Sequence, residues 1–235
     1  MTSTRLPGKV LLPAAGRPLL AHLVERLKRV PSIDEIVIAT TTNGADDPIV
    51  ELARTLGVTY FRGSEDDVLG RVLSAAKNSY ADTIVEITAD CPAIDPSIVQ
   101  RCIETFIASG ADYVSNILVP TYPWGMDTQV FATETLAQAD TATTDDPAAR
   151  EHVSLYIYEH PERFTLVNVA APPELTWPEL HIELDTPEDY ELIRTIFDEL
   201  YPQHPDFALG DIISLLRRKT HISRINEHIQ RNAAR

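Results

Sequence analysis

The chain has 235 residues, 44% of them apolar and 23% charged, with a formal net charge of −15. This is the composition of an ordinary globular protein with a full core, as one large domain or a domain with an appendage. The acidity argues against a nucleic-acid surface, no apolar run is long enough to span a bilayer, and the N-terminus shows no signal-peptide pattern. Cys91 and Cys102 make neither a disulfide framework nor a zinc site, so the compartment reads as a reducing cytoplasm.

The charge is unevenly spread. Of the chain's 20 Lys/Arg and 35 Asp/Glu, residues 1–30 hold Arg5, Lys9, Arg17, Arg26, Lys28 and Arg29 against the single acid Glu25. A protein this acidic that binds a polyanion does so at a local basic site, helped by a metal ion. A nucleotide fits that description better than a polymer.

In chain order, Ser3-Thr4-Arg5-Leu6-Pro7-Gly8-Lys9 comes first: two hydroxyls, a guanidinium and an ammonium around a glycine that allows close backbone approach. The same residues could form an exposed basic tail. Helical spacing then runs from Pro18 to Val30. A strand over Ile36 to Thr41 and a helix from Pro48 to Leu56, stopped by Gly57, come next. Val58 to Phe61 is a strand, Asp66 to Asn78 a helix, and Thr83 to Thr88 a strand that delivers Asp90 at its carboxyl end. Pro96 to Ser109 is helical and Tyr113 to Asn116 extended. Strand alternating with helix implies a parallel sheet covered on both faces.

From Leu118 to Val169 the pattern breaks up. A Pro123-Trp124-Gly125 turn, an extended Asp127 to Phe131, a helix near Thr133 to Gln138 and a polar loop at Asp140 to Pro147 suit substrate recognition or a homodimer contact. Leu180 to Leu184 reads as a strand ending at Asp185, with Thr186 capping the next helix, which runs to Leu200. After a linker, Asp211 caps a last helix reaching Arg218. The expected organisation is a domain over 1–200, with 118–169 inserted, and a helical tail over 201–235.

Ligands collect at the carboxyl ends of strands in open α/β sheets, and Asp90 and Asp185 both sit there. Two such carboxylates beside a triphosphate suggest Mg²⁺ bridging phosphate oxygens, although each is also an ordinary loop or turn aspartate.

The segments together resemble the cytidylyltransferases that make CMP-activated acidic sugars, in the branch of spore-coat polysaccharide biosynthesis proteins. That family carries Ser-Thr-Arg-Leu-Pro-Gly-Lys-Val-Leu, and Thr88-Ala89-Asp90-Cys91-Pro92 and Asp185-Thr186-Pro187-Glu188-Asp189 resemble two more of its motifs. The segment Phe61 to Arg71 nearly repeats another. The resemblance implies a three-layer α/β/α nucleotide-diphospho-sugar transferase fold, mostly parallel, with an inserted arm and a helical tail. It implies transfer of CMP from CTP to an acidic sugar or related acceptor, releasing pyrophosphate, for surface polysaccharide.

By the same resemblance, Ser3, Thr4, Arg5, Gly8 and Lys9 wrap the triphosphate, Thr40 and Thr41 read the base, and Arg71 faces the nucleotide. Arg5, Lys9 and Asp90 serve catalysis, while Asp90 and Asp185 hold Mg²⁺. Asp127, Gln129, His152 and His181 fall at acceptor-binding positions, with Gln129 replacing the family's Glu and His181 a position that is often Arg. Thr40 and Thr41 also read as a plain strand end, Arg71 as a solvated helix residue and His152 as a turn residue. A glycosyltransferase using a finished nucleotide sugar, or a catalytically silent nucleotide-binding subunit, are the alternative functions. Asp95 lies too far beyond Asp90 for the usual glycosyltransferase metal motif.

One departure stands out. The family pattern opens with an apolar strand ahead of the Ser-Thr-Arg loop, whereas here Met1 falls inside the motif. The expectation is a natural start upstream of Met1, and a vacant place in mid-sheet between the strands at Ile36 to Thr41 and Ile84 to Thr88. Each buried backbone group left unpaired there would cost about 1–3 kcal/mol.

Overall fold

The computed structural model describes residues 5–229. A 3₁₀ turn at Lys9–Leu11 leads into a small antiparallel hairpin, β1 (Pro13–Ala14) and β2 (Arg17–Pro18), and then helix α1 (Leu19–Leu27). Next come β3 (Val37–Thr41), α2 (Asp47–Leu56), β4 (Thr59–Gly63), α3 (Val68–Asn78), β5 (Thr83–Glu86), α4 (Pro96–Ser109) and β6 (Tyr113–Ser115). Residues 129–168 add β7 (Gln129–Ala132), α5 (Thr133–Ala142), α6 (Pro147–Glu151), α7 (Leu155–Glu159) and β8 (Leu166–Asn168). Helices α8 (Pro187–Leu200), α9 (Leu209–Arg218) and α10 (Thr220–Ser223) complete the described chain.

Local chemistry sets most boundaries. Gly57 and Gly110 take left-handed backbone after α2 and α4, where a side chain would be strained. The Asp95 carboxylate caps α4 ahead of Pro96, and Thr186 caps α8 in a reciprocal box with Asp189.

β3 and β4 pair in parallel, while the other strands form a sheet in the order β5-β7-β6-β8. Strand β7 runs antiparallel to both its neighbours, and β8 parallels β6. Among the described residues, β3 bonds only to β4 and β5 only to β7. Ile38 of β3 and Val85 of β5 nevertheless pack on one apolar cluster, where both stay partly exposed.

The opposed pairs on β6 and β7 show the layering. Val114 and Val130 face the cluster of α1 and α4, whereas Tyr113 and Phe131 face that of α3, α5 and α7. Both faces of the sheet are therefore covered. A third cluster joins α8 and α9 to Leu180, Ile182 and Leu184, so the tail shares a core with the segment that leads to Asp185.

Three local expectations are corrected. Leu180 to Leu184 is extended but forms only one isolated bridge, Trp124 to His181. Its carbonyls and N–H groups bond to Trp124 and Asp90, and Pro123 has no N–H with which to continue a ladder. Part of the polar stretch 140–147 is helical: α5 runs to Ala142, and the Asp146 carboxylate caps α6. Asp211 sits inside the first turn of α9, where its carboxylate accepts from the Ala208 N–H, so that helix starts two residues earlier.

Candidate active site

Gly8 has φ +69°, a left-handed turn that suits glycine, and it sends the chain into the 3₁₀ turn. This aims Lys9 across the molecule. Its Nζ donates to Asp185 Oδ1 at 2.9 Å, to Asp90 Oδ2 at 3.3 Å and to the Leu184 carbonyl at 2.7 Å. Arg5, with a side chain 65% exposed, reaches Asp185 Oδ2 at 3.3 Å. Asp90 and Asp185 are thus no farther apart than their two contacts to one nitrogen allow. Their backbones are linked as well, for the Leu184 N–H donates to the Asp90 carbonyl at 2.8 Å.

Burial of the Lys9 ammonium pushes its pKa down, but Asp90 and Asp185 outweigh that, and the net shift is upward. The group stays charged near neutral pH. An ammonium held by two carboxylates and a carbonyl marks a place built for a cation. The oxygens present, from Asp90, Asp185 and Leu184, are the hard donors that Mg²⁺ takes, with water and phosphate completing its shell. Among the described residues no group of three or more His, Cys, Asp or Glu could hold a metal by itself.

Beside Asp90 the Cys91 thiol is fully buried, which drives its pKa up, and Asp90, Asp127 and Glu183 push it further. It is no nucleophile. The same interactions place the buried Asp127 and Glu183 in the electrostatic neighbourhood of the cluster. Gly125, at φ +96°, permits a close approach here: a Cβ on it would lie 2.6 Å from the Ile182 carbonyl oxygen.

The other expected residues are placed as follows. Ser3 and Thr4 lie outside the described residues. The Thr40 and Thr41 hydroxyls sit at the carboxyl end of β3, where both donate to Asp46, at 2.8 and 2.7 Å. Arg62 ties that rim together by donating to the Thr41 and Asn43 carbonyls and to Asp47. Arg71 is half-buried: its aliphatic stem packs against Gly63 and its guanidinium donates to the Ser64 carbonyl. Gln129 accepts from the Tyr113 and Ser154 hydroxyls. Asp127 receives the Gly125 N–H at 3.4 Å. His152 is exposed at the end of α6, where its N–H donates to the Ala148 carbonyl at 2.9 Å. The His181 ring stacks on Trp124, at 5.5 Å between centroids, and borders a cavity of about 500 Å³ with Trp177, Arg217, Arg224 and Asn226.

The basic residues of 1–30 do not act together. Only Arg5 and Lys9 reach the aspartates; Arg17 pairs with Glu25, Lys28 caps Leu56, and Arg29 pairs with Glu25 and Asp206. Arg26 is buried and braces the tail. From the sequence Asp189 is a residue of the Asp185 to Asp189 motif with no site role, and Asn226 has no assigned role. Both lie behind Asp185.

The Cytidylyltransferase family model matches residues 1–227. Spore coat polysaccharide biosynthesis protein SpsF of Bacillus subtilis is 32% identical over 222 residues, covering 93% of this chain and 91% of that protein. A 3-deoxy-manno-octulosonate cytidylyltransferase of Anaeromyxobacter dehalogenans is 30% identical over 181 residues, with 69% and 72% covered. The solved structure of a cytidylyltransferase from Leptospira borgpetersenii superposes with a TM-score of 0.90 at 31% identity, spanning 99% of this chain and 95% of that one.

Proposed function

Because the chain belongs to the cytidylyltransferase family, we propose that it transfers CMP from CTP to a hydroxyl of an acidic sugar in the making of a surface polysaccharide. The observation that carries this reading is the convergence of Asp90 and Asp185 on the Lys9 ammonium. The similarity to a spore coat polysaccharide biosynthesis protein and to a 3-deoxy-manno-octulosonate cytidylyltransferase supports an acidic sugar as acceptor. We place the reaction in the cytoplasm; among the described residues no helix is long and apolar enough to cross a membrane.

The acceptor hydroxyl oxygen bonds to the α-phosphorus as the bond to the β-phosphate oxygen breaks. Pyrophosphate leaves, and the hydroxyl proton passes to water. Asp90 and Asp185 would hold a Mg²⁺, which supplies neutralising charge on the phosphate oxygens. Lys9 and Arg5, which lie against these carboxylates, would supply positive charge to the triphosphate. Arg5 grips two oxygens with its planar fork, and Lys9 acts as a point charge on the departing pyrophosphate. The protein contributes position and charge more than covalent chemistry.

Pyrophosphate release tests the reading, with CTP, UTP, ATP and GTP offered in turn against a panel of sugar acids. CTP is expected to exceed the purine triphosphates by at least about 100-fold in kcat/KM, as a site built to hydrogen-bond one base rejects misfits strongly. Equal or better turnover with ATP or GTP would refute cytidylyl transfer while leaving the fold untouched.

A further inference from the structure

Asp185 is held from behind by Asp189, and Asp189 in turn by Asn226. The Asp189 carboxylate is 0% exposed, and its Oδ2 accepts from the Thr186 N–H and hydroxyl, both at 2.9 Å. A helix cap needs no more than that. The same oxygen also accepts the backbone N–H of Asp185 at 3.2 Å, a group outside the helix. That bond fixes the peptide from which the Asp185 side chain springs.

The other oxygen, Oδ1, receives the Asn226 Nδ2 at 2.7 Å, and the same amide nitrogen donates to the His181 carbonyl at 2.9 Å. Asn226 is 6% exposed. One side chain of the C-terminal tail therefore holds the segment at His181 directly and at Asp185 through Asp189. Its two amide hydrogens meet the two acceptors, so neither is left without a donor. The tail reaches this point because α9 buries Ile212, Ile213, Leu215 and Leu216 in the core shared with Leu184, and Ile222 of α10 joins them.

We propose that Asn226 and Asp189 are positioning residues that set the Asp185 carboxylate for cation binding, which makes the C-terminal tail part of the working site. The inference rests on the reading of Asp185 as a metal ligand. Without the Asn226 amide, Asp189 Oδ1 loses a buried donor, and the carboxylate's hold on the Asp185 N–H weakens. Partners behind a metal ligand typically change metal affinity 10- to 100-fold when removed.

The test uses the full chain and its Asn226→Ala and Asn226→Ser variants. Mn²⁺ binding is followed by loss of the free-ion paramagnetic resonance signal, with CTP at saturation and no acceptor. Thermal unfolding is measured alongside. Asn226→Ala is expected to weaken Mn²⁺ binding about 10-fold while CTP affinity without metal changes less than about twofold. Asn226→Ser, which keeps a donor, should fall between the two, and it carries the comparison if Asn226→Ala does not fold. Mn²⁺ affinity within about twofold of the unaltered protein in a folded variant would reduce Asn226 to a fastener of the tail and overturn the inference. If the unaltered protein itself binds CTP but no Mn²⁺, the metal reading of Asp90 and Asp185 fails instead.

Discussion

Asp90→Asn is expected to lower turnover by about 10²- to 10³-fold at saturating CTP, the loss typical when one preorganised electrostatic group is removed from a transition state. The change keeps the side chain's size and removes its charge. The backbone bond from the Leu184 N–H to the Asp90 carbonyl is unaffected, so the segment leading to Asp185 stays in place. Lys9 keeps its contacts to Asp185 and Leu184. The thermal unfolding midpoint should accordingly move by no more than a few degrees. Initial rates of pyrophosphate release, read beside that midpoint, decide the matter. A loss below about fivefold in a folded variant would remove Asp90 from the chemistry.

Arg26→Ala is expected to cost about 3–5 kcal/mol of stability, from two buried carbonyls left without their donor, at about 1–3 kcal/mol each, plus the hole left by the side chain. The guanidinium is 2% exposed, its Nε donates to the Ile94 carbonyl and its Nη2 to the Phe207 carbonyl, both at 2.6 Å, and it lies over the Phe207 ring. Burial lowers its pKa to about 10, with Asp95 pulling the other way. Asp95 in turn caps α4 and accepts the Leu209 N–H, so one arginine joins α1, the start of α4 and the segment entering α9. Its removal strands two carbonyls and opens a hole under Phe207. Arg26→Lys should recover little, because an ammonium cannot match the fork that reaches both carbonyls. Urea unfolding of the two variants gives the comparison. A loss under about 1 kcal/mol for Arg26→Ala would contradict this role.

Arg26 also shows where sequence reading stops. The stripe of Leu19, Leu20, Leu23, Val24 and Leu27 identifies α1, and Arg26, seven residues after Leu19, lies at the edge of that stripe beside the open face. In the fold α8 and the tail cover that face too, so nearly all of α1 is buried. Periodicity reports one buried side of a helix, and it gives no sign that a segment some 180 residues later covers the other.

Elements with their own start and stop chemistry were legible: Asp95-Pro96 before α4, Thr186-Pro187 before α8, Gly57 and Gly110 as stops. β8 was not, since three residues carry too little alternation, and its place comes from pairing with β6. Asp90 and Asp185 were marked by strand ends and by motif. Their bridging by Lys9 spans 81 and 176 residues of sequence, a distance at which only resemblance could have linked them. The Asn226 support was beyond reach for the same reason. Arg71 was read either as nucleotide-facing or as solvated, and its burial under the loop after β4 depends on Gly63 having no side chain.

Calorimetric titration of CTP, with and without Mg²⁺, into the unaltered protein and an Asp90→Asn, Asp185→Asn double variant tests the central claim without knowledge of the acceptor. The account predicts CTP binding that Mg²⁺ strengthens at least about 10-fold in the unaltered protein, and no Mg²⁺ effect in the folded double variant. An equal Mg²⁺ effect in both would contradict it, because the cation would then act somewhere other than between Asp90 and Asp185.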